Sequence, residues 1–120
     1  TKDAYCAMTA APMITVQAHG APIAFRFYAG TSFPAEYQSS AFLALRGSWN
    51  RSEATGYKIV RLRFDQAGEP IAFDDFVTGF LINDGTAEIG RLAGITFAPD
   101  GALLFSDDEN GIIYRVQATD

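Results

Sequence analysis

From Met13 onward, apolar and polar positions alternate with a period of two in short runs, and each run ends at a turn signal. Met13 to Gln17 predicts a short β-branched strand, closed by the breaker Ala18-His19-Gly20-Ala21-Pro22. Ile23, Phe25 and Phe27 alternate with Ala24, Arg26 and Tyr28, which gives the next strand one apolar face. Gly30 to Ser40 reads as a loop, and Ala41 to Leu45 is a continuous apolar run of the kind found in a strand covered on both faces. A polar loop leads to Tyr57–Phe64, where Val60, Leu62 and Phe64 face one way and Arg61 and Arg63 the other. Lys58, Arg61 and Arg63 read as the solvated face of that strand. Ile71 to Phe80 predicts a fourth strand, and its interruption by Asp74 and Asp75 suits an edge.

After Asn83-Asp84-Gly85 the pattern restarts with strands at Leu92–Ala98, Ala102–Ser106 and Ile112–Gln117. Two turns with a clear mechanism separate them. Pro99-Asp100-Gly101 combines a preset φ with a residue that accepts positive φ, and Asn110-Gly111 is a strong hairpin signal. No segment keeps a 3.6-residue period, and Thr1 to Pro12 reads as a loop or a terminal strand.

These runs fall into two similar groups offset by about 55 residues, near the repeat length of propeller blades. The predicted fold class is therefore all-β: antiparallel four-stranded blades, about two of them, forming part of a six-bladed β-propeller. The first blade is expected over about 13–82. The second, with three strands, is expected over about 88–118. A closed propeller has at least four blades, so companions are expected: either remaining propeller blades or identical chains closing a ring as a homotrimer.

Composition narrows the class further. The 120 residues are 48% hydrophobic and 19% charged, which fits a packed domain. The 10 Phe and 11 Gly suit strands and turns. A net charge of −5 argues against a nucleic-acid partner, and no apolar run approaches the length of a membrane span. The single cysteine, Cys6, allows no internal disulfide. A start at Thr1 without Met reads as a processed or trimmed chain.

The most distinctive stretch is Arg46-Gly47-Ser48-Trp49-Asn50-Arg51, followed by Gly56-Tyr57-Lys58. Taken with Ala18-His19-Gly20-Ala21-Pro22, Phe33-Pro34-Ala35-Glu36-Tyr37, Asp75-Phe76-Val77-Thr78-Gly79-Phe80 and Pro99-Asp100-Gly101…Ser106-Asp107-Asp108, it resembles the C-terminal part of the glucose/sorbosone dehydrogenase family. That resemblance implies a six-bladed propeller using pyrroloquinoline quinone (PQQ) and calcium, with a sugar as substrate and a periplasmic or secreted location. It also implies hydride transfer from sugar to quinone.

Two cofactor-binding positions carry over. Arg46 stands where the glucose-dehydrogenase branch has a cofactor-contacting Lys, and Arg91 where it has an Arg facing the cofactor. A second Arg of that branch is Ala93 here. The family's catalytic His and calcium ligands belong to blades outside this stretch, so no catalytic residue and no metal ligand is assigned, and no turnover is expected from these residues alone. Trp49, Asn50 and His19 are placed at the substrate or channel rim. For each a plainer role stands beside it: Trp49 as a seal on the blade edge, Asn50 and Arg51 as loop-holding groups, His19 as a loop-ordering residue. Asp107-Asp108-Glu109 reads as a hairpin of solvated acids. The competing reading of the whole is a non-catalytic propeller module that binds sugar or anions.

Overall fold

The computed structural model describes residues 1–119 of the chain. A one-turn helix, α1 (Lys2–Cys6), is followed by nine strands: β1 (Pro22–Phe27), β2 (Ala41–Leu45), β3 (Lys58–Phe64), β4 (Pro70–Val77), β5 (Leu81–Ile82), β6 (Ala87–Glu88), β7 (Leu92–Phe97), β8 (Leu103–Asp107) and β9 (Ile112–Val116). All pairings are antiparallel, in sheets of order β1-β2-β3-β4, β5-β6 and β7-β8-β9. Each sheet is a simple meander in which consecutive strands pair.

Two expectations fail near the N-terminus. Thr1 to Pro12 is neither purely loop nor strand: Thr1 Oγ1 accepts from the Ala4 amide and caps α1, whose residues are all exposed. Met13–Gln17 is not a strand, because no neighbour offers it a ladder. β-branched composition reports a preference for a pleated, half-covered surface, and none is present there.

The core lies between the four-stranded and three-stranded sheets. Phe42, Ala44 and Ile59 from one side meet Leu92, Ile95, Leu103 and Phe105 from the other, with Tyr28, Phe33, Tyr57 and Phe80 filling the ends. Rings pack mostly edge-to-face or tilted, as at Phe42–Phe76 and Phe80–Tyr114, a geometry that adds about 0.5–1.5 kcal/mol per pair beyond area burial. Ala41–Leu45 is the covered strand that its unbroken apolar run predicts, with only Leu43 short of full burial.

The opposite alternation on β1 is present but uncovered. Ile23, Phe25 and Phe27 line one face, and Phe27 is 64% exposed. Ile113 on β9 is 74% exposed. The basic residues of β3 are not a free solvated face. Each is half-buried: Lys58 pairs with Asp75 and Arg63 with Asp74 at 2.5 Å, while Arg61 donates to Ser40 Oγ and lies 4.4 Å over the Tyr37 ring. The aspartates that interrupt β4 supply partners for β3.

Candidate functional site

Antiparallel order brings the entries to β1, β3 and β7 and the exits of β2, β4 and β8 to one end of the molecule. The backbone there is unusually constrained. Positive φ occurs at His19 (69°), Ala21 (51°) and Tyr57 (54°), all non-glycine residues, as well as at Gly47 (102°) and Gly56 (86°). L-residues with side chains enter this region at a cost of about 1–2 kcal/mol each, and such positions cluster at functional sites.

The Arg46–Tyr57 loop is held mainly by main chain. Arg46 N donates to Ala21 O (2.9 Å), Gly47 N to Gly20 O (3.0 Å) and Ser48 N to Thr55 O (2.9 Å). Ser48 is buried; its Oγ accepts from the Thr55 amide, and its carbonyl accepts from the Tyr57 hydroxyl. Arg51 Nη1 reaches back to Ala18 O at 3.1 Å, tying the loop to the turn that carries His19. Arg51 thus holds the loop, and His19 sits exposed in a left-handed turn beside it.

Arg46 and Arg91 come from different sheets and meet around one hairpin. Arg46 Nη1 lies 2.5 Å from Asp108 Oδ1, and the Asp108 amide donates to Arg91 O at 3.2 Å. Arg91 Nη2 donates to Gly47 O (3.0 Å), Nη1 is 4.0 Å from Glu88, and the guanidinium carbon stands 5.3 Å from the Tyr57 ring centre. Its Nε is shielded from solvent and has no acceptor. A cleft of about 430 Å³ opens beside it, lined by residues that include Ser48, Trp49, Arg51, Tyr57, Glu88 and Arg91. Trp49 presents its indole almost fully, at 83% exposure, and Asn50 is exposed next to it. Arg46 is outside this lining and spends its charge on Asp108.

Asp107 corrects the reading of solvated acids: it is 1% exposed. Burial pushes its carboxyl up, but hydrogen bonds from the Asn110 side chain and from the amides of Arg91, Asn110 and Glu109 outweigh burial and hold it below the ordinary 3.8. Sequence reasoning also missed Tyr57 and Glu88. The Gly56-Tyr57 pair was the available signal, since glycine there fixes where the following ring must go.

The antiparallel all-β scaffold is that of a module related to sugar oxidoreductases. A family model, TrAA12-like, matches residues 1–119. The chain belongs to this family, whose relatives bear out the resemblance to PQQ-dependent sugar dehydrogenases read from the sequence. It is 29% identical, over 96% of its length and 18% of the relative's, to the pyrroloquinoline quinone-dependent pyranose dehydrogenase of Coprinopsis cinerea. The holo PQQ domain of that organism's pyranose dehydrogenase superposes with a TM-score of 0.77 at 26% identity, over 97% of this chain and 31% of that one. The calcium structure of the Trichoderma reesei Carbohydrate-Active Enzymes Family AA12 protein gives 0.75 at 26% identity, over 92% and 28%. An uncharacterized protein of Borreliella burgdorferi is 43% identical over 82% of this chain and 26% of its own length. The chain therefore spans between about a fifth and a third of these relatives, and it is a module related to sugar oxidoreductases. Among the described residues no helix is long and apolar enough to cross a membrane.

The residues present fit one edge of PQQ, a flat ring with three carboxylates. Arg91 brings a guanidinium charge to the cleft wall, with only a 4.0 Å approach to Glu88 at its Nη1, and Trp49 offers a flat apolar surface at the same cleft. Among the described residues no group of three or more His, Cys, Asp or Glu converges as a calcium site would require.

Proposed function

We propose that the chain forms two adjacent blades of a six-bladed propeller in a PQQ-dependent sugar dehydrogenase, secreted or periplasmic, and that Arg91 faces the cofactor with Arg46 behind it. The observation that carries this reading is the convergence of those arginines, from separate sheets, at one hairpin beside the cleft. When bound, PQQ supplies an ortho-quinone that accepts a hydride from the sugar. In this reading Arg91 binds and orients a cofactor carboxylate. Tyr57 backs the guanidinium, and Gly47 O fixes one of its nitrogens, so little side-chain freedom remains to be lost on binding. Arg46 contributes positive potential from the second ring of contacts, with Asp108 setting its position. Trp49, with its neighbour Asn50 and with His19 on the turn tied to the same loop through Arg51, forms the rim over which a sugar passes, the indole face suiting the apolar face of a pyranose.

Calcium, in this reading, is held by other parts of the intact protein. The test is PQQ titration, with calcium present, into the intact protein and its Arg91→Met and Arg46→Met variants. Arg91→Met is expected to weaken binding by about tenfold or more, and Arg46→Met by less. PQQ affinity unchanged in both variants removes the reading.

A further inference from the structure

The geometry points to Asp107 as the positioning residue that sets both arginines, an inference that rests on their proposed place beside the cofactor. Asp107 ends β8 and is buried; it does not itself line the cleft, but it bonds the main chain of Arg91, which does. Its carboxylate is fully occupied. Oδ1 accepts from the amides of Arg91 (3.0 Å), Glu109 (3.1 Å) and Asn110 (3.4 Å), and Oδ2 accepts from Asn110 Nδ2 (2.6 Å). The same Asn110 amide group donates to Ile89 O at 2.9 Å. One side chain therefore clamps the Ile89–Arg91 approach to β7 against the turn that follows β8.

Both arginines depend on that clamp. Arg91 is held by its own amide, one residue before β7, so its side chain starts from a fixed point. Arg46 is held at one remove: its partner Asp108 follows Asp107 directly and donates its amide to Arg91 O. Gly90 shows how close the two segments run. A Cβ there would overlap the Asp107 carboxylate and lie 3.1 Å from the Phe80 ring. Gly90 does not have a positive φ, so it is space, not backbone conformation, that excludes a side chain. This makes Gly90→Ala an independent way to displace the same carboxylate.

Asp107→Asn is close in shape but brings an amide donor against the Asn110 amide donor, so one tether must open. Two measurements on the intact protein separate the inference from the reading beneath it. The first is amide hydrogen exchange at Arg91 and Asn110 without PQQ. Asp107→Asn and Gly90→Ala are expected to speed exchange there by about tenfold or more beyond whatever acceleration the β2 and β3 amides share through lowered global stability. Uniform acceleration across the protein, or none at Arg91, overturns the clamp. The second is a double-mutant cycle in PQQ affinity. Asp107→Asn alone is expected to weaken PQQ by about tenfold or more, and to add little once Arg91→Met is present. Full additivity means that Asp107 does not act through Arg91 and overturns the inference. Faster exchange at Arg91, combined with wild-type PQQ affinity in Arg91→Met, removes the cofactor role of Arg91 and with it the functional half of the inference.

Discussion

Gly47 leaves β2 with φ 102°, and a Cβ there would overlap the Tyr57 ring. Both constraints act at one atom, so Gly47→Ala carries backbone strain of about 1–3 kcal/mol before any clash is counted. The expected outcome is a clear loss of stability in urea, together with a change in Tyr57 fluorescence or near-ultraviolet dichroism. At Asp107 the sign of the pH effect is fixed by direction. The folded pKa lies below the ordinary 3.8, so the group's stabilisation is present above about pH 4 and is lost as pH falls through the lower folded value. Asp107→Asn is therefore expected to cost about 1–3 kcal/mol at pH 7, from disturbed buried hydrogen bonds. The gap between variant and wild type should shrink steadily below pH 4. A gap that stays constant from pH 7 to pH 2.5 would show that charge at Asp107 is irrelevant to folding.

Elements show a sharper contrast between contact and energy. Arg46 and Asp108 join two sheets, yet their side chains are 31% and 52% exposed, and exposed pairs of this kind contribute about 0–1 kcal/mol. Asp108→Asn should shift the urea midpoint only slightly, and the shift should vanish in high salt. If Arg46 serves the cofactor as proposed, the effect of Asp108→Asn on PQQ affinity should exceed its effect on stability. The β2, β8 and β9 strands and their turns were legible in the sequence because apolar runs, Pro-Asp-Gly and Asn-Gly speak for themselves. Met13–Gln17 was misread because a strand needs a neighbour, and residue preference cannot report one. The β5-β6 pair was invisible, being two strands of two residues each. Arg46 and Arg91 were legible as candidates through family resemblance alone. That they meet at Asp108, and that Asp107 is buried beneath them, depends on contacts 44 or more residues apart for the arginines and on a side chain that composition reads as solvated.

At the scale of the molecule the surface is too large and the shape too open. The accessible area is 7732 Å², about a fifth more than a compact chain of this mass exposes. The radius of gyration is 16.1 Å, against about 13.6 Å for a globular domain of this length. The exposed N-terminal stretch accounts for part of both, and the uncovered Phe25, Phe27 and Ile113 for another part. A 120-residue chain made by itself is expected to self-associate through these faces. Sedimentation should show a mass that rises with concentration, and Phe27→Ser with Ile113→Ser should lower it. A single sharp trimer would favour ring closure by identical chains, whereas a broad distribution would favour faces meant for other blades.

The near contact of Gly20, Gly47 and Gly56 has a practical corollary. A Cβ on Gly56 would come within 2.7 Å of Gly20 O and 2.8 Å of the Gly47 Cα, so three main-chain segments are soldered together with no side chain between them. Trp49, Asn50, Ser52 and Glu53 hang from that joint as an exposed tip, with Arg51 tied to Ala18 O and Ala54 packed on the core. Random libraries confined to those four codons should yield mostly folded proteins, a convenient handle for varying the rim, whereas libraries that touch the three glycines should yield mostly insoluble ones.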